Sequence, residues 1–243
     1  MLNTRLELNK RIDNNVQLKY TEQKIFGNSK EIIGCEVLLD FEYAKKNQVA
    51  WKYLTMMHNG ASLLSLIVYV NESILRYVKS NINKVFINVE RISLCNSRHV
   101  GLITRLNEKM SEHNISLIVE ITERGSDIPF VEIKNGLKSL QCSHVKLAMD
   151  DYDYKKTDFR SDEIFDYDYI KVDFPKTKAE LDSFNNFVFL TSMFTCLIVE
   201  RIENENDFFS VKNNRIWGYQ GFAFCQKESF EGWSDNTSDN NVF

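Results

Sequence analysis

The chain has little of what would tie it to an oxidising compartment, a zinc site or a polyanion. Its five cysteines, Cys35, Cys95, Cys142, Cys196 and Cys225, are scattered and form no CxxC pair. Three lie inside apolar runs, which reads as reduced core residues and not as a disulfide framework. Only four histidines occur, with no HxxxH or HExxH pair, which argues against zinc. There is no block of five or six basic residues and the formal net charge is −4, so binding to nucleic-acid polymers is disfavoured. The longest apolar stretch, Ala61–Val70, is interrupted by serines and is too short to span a bilayer. The amino-terminal MLNTRLELNKRIDNN has no apolar secretion core, so a soluble, cytoplasmic protein with no membrane contact is expected. No Pro-, Gly- or Ser-rich linker and no internal repeat divides the 243 residues, which predicts one main domain.

What the chain does have is enough apolar residues, 43%, to bury a large core. Apolar runs predict strands over 16–26, 32–39, 85–89, 116–121, 145–149, 169–172, 195–199 and 216–224. Helical spacing predicts helices over 61–80, 98–113 (capped by Ser97), 178–193 and 203–211. A further helix starts near Ser126 and Asp127, with Pro129 in its first turn, and ends about Leu140. Strands alternating with helices over close to the roughly 250 residues typical of the architecture predict an α/β fold, a TIM-like (β/α)8 barrel. The barrel is expected over 16–231, behind an extension at 1–15 and before a polar, disordered tail at 232–243.

The informative stretch is Val145–Asp173. One apolar run ends in adjacent carboxylates, Asp150 and Asp151, and the next carries Lys171 and Asp173. Adjacent acids at the end of a buried strand are costly unless a cation neutralises them. The bland alternative is a solvated acidic loop. The other strands present similar residues: Glu36, Asn88, Glu120, Glu200 and Gln220. In a barrel those strand ends converge on one face. Five carboxylates and an amide are hard oxygen ligands of the kind Mg2+ or Mn2+ prefers, and their number suits two ions. Such a pair serves in-line attack on a phosphodiester.

Read in order, the motifs resemble the EAL-domain cyclic-di-GMP phosphodiesterases of bacterial signalling, over about Val16–Phe230. The signature tripeptide stands as Glu36-Val37-Leu38, the asparagine strand as INVE at Ile87–Glu90, and the ExTE motif as Glu120-Ile121-Thr122-Glu123. The paired aspartates are Asp150 and Asp151, the KxD strand is Lys171-Val172-Asp173, EGVET appears as Glu200-Arg201-Ile202-Glu203-Asn204, and QG as Gln220-Gly221. The resemblance implies that Glu36, Asn88, Glu120, Asp150, Asp151 and Glu200 hold two Mg2+ or Mn2+ ions. Glu36, Asp151, Lys171 and Glu200 would carry the chemistry. Gln220, Leu39 and Arg201 would line the substrate pocket, and Glu123 and Glu203 would brace loops. The implied reaction converts cyclic di-GMP to linear pGpG.

The chain also departs from the family pattern. Asp40 stands where an arginine usually binds substrate. Asp151-Tyr152-Asp153-Tyr154-Lys155 lacks both usual loop glycines, so this loop must fold differently or be less ordered. Since the family loop couples metal binding to dimerisation, a homodimer is an open expectation. Arg201 replaces a glycine and is expected either to pair with Glu200 or to supply the phosphate contact missing at Asp40. The second functional reading is a weak or inactive member acting as a cyclic-di-GMP receptor or as a protein-binding regulator of motility or fimbrial genes. The absence of a sensor segment points to control by expression or by a regulatory protein partner. The aromatic Phe184–Phe194 segment is read as a barrel helix in preference to a partner-binding one.

Overall fold

The computed structural model describes residues 18–58, 60–122, 130–155 and 161–224. Eight strands close into a barrel in chain order. They are β1 Tyr20–Phe26, β2 Ile32–Leu39, β3 Lys84–Val89, β4 Ser116–Ile121, β5 Lys146–Met149, β6 Tyr169–Asp173, β7 Cys196–Glu200 and β8 Gly218–Tyr219. From β2 to β8 all neighbours are parallel. β1 is antiparallel to both β2 and β8. β1 and β2 form a hairpin through the turn after Phe26, where Gly27 N–H donates to Glu31 O at 2.9 Å, so strand–helix alternation begins only after β2.

The helices are α1 Phe41–Lys46, α2 Ala50–His58, α3 Ser62–Lys79, α4 Arg91–Leu94, α5 Ser97–Ser111, α6 Phe130–Cys142, α7 Lys178–Thr191 and α8 Glu205–Val211. The short α1, α2 and α4 have no counterpart in the sequence pattern. The cap of α5 is Asn96, whose side chain accepts from Arg98 N–H, and not Ser97. Ser126, Asp127 and Pro129 lie outside the described residues, as do the extension at 1–15 and the tail at 232–243. β8 is shorter than expected because Gly221 turns the chain at φ 150°. Strand-like bonding still flanks it, Trp217 N–H to Leu197 O and Gln220 N–H to Val199 O, both at 2.9 Å. Among the described residues no single helix is long and apolar enough to cross a membrane.

Two apolar layers hold the barrel. The outer layer packs strand residues such as Val85, Ile87, Leu117, Val119, Leu147, Ile170 and Val172 against the buried faces of α3, α5, α6 and α7. The inner layer fills the barrel lumen with Ile25, Phe86, Ile118, Ala148, Tyr169 and Ile198. Tyr169 meets Phe86 and Trp217 edge-on at 5.2 and 5.1 Å between ring centroids. This inner layer sets the floor of the site.

Candidate active site

Side chains on a strand alternate faces, so the residue two positions on points the same way. Each lumen residue therefore has a partner one layer nearer the carboxyl rim: Phe86 gives Asn88, Ile118 gives Glu120, Ala148 gives Asp150, Tyr169 gives Lys171 and Ile198 gives Glu200. From the reversed β1, Ile25 gives Gln23, which lies opposite Glu36 of β2. Gln220 follows β8 by one residue. The barrel thus carries a polar ring stacked on an apolar plug.

Lys171 is the hub of that ring. Its Nζ lies 2.8 Å from Glu200 Oε1, 2.9 Å from Glu36 Oε2, 3.0 Å from Glu120 Oε1 and 3.6 Å from Asp150 Oδ1. The side chain is only 1% exposed. Glu36 also accepts from Asn88 Nδ2 at 2.6 Å and from Gln220 Nε2 at 2.7 Å. Gln220 Nε2 donates in addition to Gln23 Oε1 at 3.0 Å. Gln23 was missed in the sequence. Its signal was the two-residue step from Ile25, readable only once β1 is known to run backwards.

Crowded carboxylates around one ammonium perturb one another. Burial would raise the Glu36 carboxyl, but the Lys171 charge and three hydrogen bonds hold it below the usual range. Burial, then the Glu36 charge, pushes Glu120 well above that range. Burial lifts Glu200 to about 8, with Lys171 opposing. Burial would lower Lys171, yet the surrounding carboxylates raise it well above the ordinary lysine value. Among the described residues, one ammonium faces these four carboxylates. The donor set fits further hard cations: Asp150, Asp151 and Glu200 each offer an oxygen within 4.8 Å of the others.

The ring opens into a cavity of about 700 Å³, with Glu36, Asn88, Asp150, Asp151, Lys171, Glu200 and Gln220 in its wall. Leu39, Arg201 and Glu203 reach the same wall, whereas Glu123 lies outside the described residues. The Glu203 side chain is exposed at the rim, and its backbone N–H donates to Asp207 Oδ2 at 3.1 Å. Gly221 is required by close approach: a Cβ there would lie 2.2 Å from Ile202 O. This places Gln220 O against Ile202 N–H at 3.2 Å and closes the ring between β7 and β8.

Asp40 does not face the cavity centre as a free acid. It caps α1, its Oδ1 accepting from Tyr43 N–H at 2.8 Å. The loop after Asp151 folds differently instead of being loose over its described part. Tyr152 N–H donates to Lys171 O at 3.0 Å, and its ring stacks on Phe187 of α7 at 5.4 Å. Tyr154 stacks on Phe187 at 5.6 Å and meets Phe184 at 5.7 Å. Aromatic anchors therefore replace glycine turns, and Phe184 and Phe187 of α7 are explained by what they pack, whereas Phe189 is exposed.

Arg201 is the main revision. Its Nη1 donates to Asp173 Oδ2 at 2.8 Å and its Nη2 to Asp151 Oδ1 at 3.4 Å, so its acidic partners are these two and not Glu200. Both Arg201 and Asp151 sit in the left-handed region, at φ 58° and 47°. For a residue with a Cβ that region costs on the order of 1 kcal/mol, which explains why glycine suits the first position.

A closed, mostly parallel barrel with an acid-rich, metal-competent centre on its carboxyl rim defines the class. The chain belongs to the EAL domain family, whose pattern matches residues 6–227. Among solved structures it is similar to the EAL enzyme Bd1971 in its cGMP-bound form, at TM-score 0.70 and 18% identity, covering 92% of this chain and 66% of that one. It is also similar to BlrP1 of Klebsiella pneumoniae in a manganese and cyclic-di-GMP complex, at TM-score 0.66 and 18% identity, covering 86% of this chain and 55% of that one. An EAL domain protein of Listeria monocytogenes matches at TM-score 0.58 and 15% identity over 93% of both chains. The chain thus spans two thirds or less of the first and second of these. No curated protein sequence matches it. At these identities the structural likeness establishes the fold.

Proposed function

We propose that the protein is a metal-dependent phosphodiesterase that hydrolyses one bond of cyclic di-GMP to give linear pGpG. The observation that carries this reading is the polar ring itself: Glu36, Asn88, Glu120, Asp150, Lys171, Glu200 and Gln220 meet on one rim, beside a cavity of about 700 Å³. Manganese and cyclic di-GMP bound to BlrP1, whose structure is similar to this one, support it.

Glu36, Asn88, Glu120, Asp150, Asp151 and Glu200 would hold two Mg2+ or Mn2+ ions. Such ions supply Lewis-acid charge and lower the pKa of water. Lys171, held on four sides, offers its ammonium to charge developing on the phosphoryl oxygens. Asn88 and Gln220 fix the Glu36 carboxylate so that both of its oxygens are aimed before substrate arrives. The apolar plug below excludes water from the other end. Glu203 at the rim would brace the neighbouring loop. We place the activity in the cytoplasm, on a small nucleotide and not on nucleic-acid polymers or membranes, with dimerisation or a protein partner as its control.

The test is to incubate the protein with cyclic di-GMP and Mg2+ or Mn2+, and to follow pGpG by chromatography beside Glu36→Ala. Product from the wild type and none from the variant supports hydrolysis. Asp40 favours a second reading, a receptor or partner-binding regulator, because an acid that caps α1 stands where the resemblance implies a substrate-side arginine. Retained binding without product would favour that reading.

A further inference from the structure

We infer that Arg201 is a positioning residue that makes the two cation positions unequal, weakening the one that uses Asp151. This deepens the proposed metal-dependent reading and rests on it. Three observations combine. First, the guanidinium is committed to two carboxylates from different strand ends, Asp173 at 2.8 Å and Asp151 at 3.4 Å. Second, Asp151 belongs to the oxygen cluster with Asp150 and Glu200, so Arg201 engages a carboxylate that an ion there would use. Third, both residues hold left-handed backbone, φ 58° and 47°, just beyond the ends of β5 and β7.

The physical consequence follows from charge. A fixed positive group bonded to Asp151 cancels part of the negative charge that an incoming dication sees, and it occupies one carboxylate oxygen. The guanidinium is 61% exposed, so salt screens the effect without abolishing it. Glu36, Asn88 and Glu120 have no contact with Arg201, and their ion keeps its affinity. The protein therefore takes up one divalent ion readily and the second only at higher concentration.

The experiment is a calorimetric titration of the metal-free protein with MnCl2, at low and at 0.5 M salt, with no nucleotide present. Wild type is expected to show one tight and one weaker Mn2+ class. Arg201→Gly, which also relieves the backbone, and Arg201→Met, which keeps bulk without charge, are each expected to tighten only the weaker class, by about tenfold or more at low salt. Arg201→Lys is expected to stay near wild type. A merely structural role would move both classes together or neither. Two equal classes in wild type, or no change in both charge-removing variants, overturns the inference while leaving the metal centre intact. Failure of every protein to bind Mn2+ overturns the metal centre itself, and the inference with it.

Discussion

Lys171 Nζ and Glu36 Oε2 meet at 2.9 Å across the lumen, although 135 residues separate them in the chain. Only closure of the barrel brings them together. Both side chains are nearly solvent-free, at 1% and 5% exposure, so the pair is judged by what removing one partner leaves behind.

Lys171→Met takes the only cation out of contact with Glu36, Glu120, Asp150 and Glu200 among the described residues. Urea unfolding with chelator present should show a loss of about 3–5 kcal/mol, with part of it restored by Mn2+. An unchanged midpoint would show that the carboxylates do not depend on the ammonium.

Divalent metal should stabilise the folded state by mass action. At a hundredfold excess of Mn2+ over its dissociation constant, the gain is about 2.7 kcal/mol. Differential scanning fluorimetry with and without EDTA checks this, and Asp150→Asn should remove most of the shift.

Phe187 supports both tyrosines of the loop after Asp151, at 5.4 and 5.6 Å. Phe187 is partly buried, so Phe187→Ala should cost about 1–2 kcal/mol and raise hydrogen exchange at Tyr152–Lys155. Protection retained there would mean that the loop is held by other contacts.

Much of this was legible in advance, for a physical reason. Strands covered on both faces read as near-continuous apolar runs, so Glu36, Asn88, Glu120 and Lys171 stand out inside them. Side-chain alternation looks the same in either direction, so the reversal of β1 shows only in the short connection from Phe26 to Ile32, which permits an antiparallel hairpin and no crossover. α1 and α2 were not legible, because their short spans carry too few turns to show a period. Ser97 and Asn96 are adjacent capping residues, and only the backbone decides between them. The partners of Arg201 depend on two backbone angles set in loops 50 residues apart, which no local pattern encodes.

A second ion pair lies away from the rim and provides a pH test. Burial would raise Glu22, but the paired hydrogen bonds from Arg76, at 2.6 and 2.8 Å, hold its carboxyl below the usual value. A depressed native pKa contributes stability above the unfolded value, about 4.3, and that contribution is lost as pH falls through the native one. Arg76 is 48% exposed, so the contribution is modest, about 1 kcal/mol. Glu22→Gln should therefore be less stable than wild type at pH 7, and the gap should close below pH 4. A gap that persists in acid would assign the effect to packing.

Asp40→Ala removes the cap of α1 and should cost about 1 kcal/mol in thermal unfolding. Cyclic-di-GMP affinity, followed by calorimetry, should stay within about twofold, since the carboxylate is engaged by Tyr43 N–H. A marked gain in affinity would show that the acid does repel the ligand.

The plug of Ile25, Phe86, Ile118, Ala148, Tyr169 and Ile198 seals the barrel beneath the ring. Whatever enters must leave by the doorway through which it came. On the proposed hydrolytic reading, incoming nucleotide, departing product and exchanging ions would queue at one mouth, and crowding there would act as a brake on turnover.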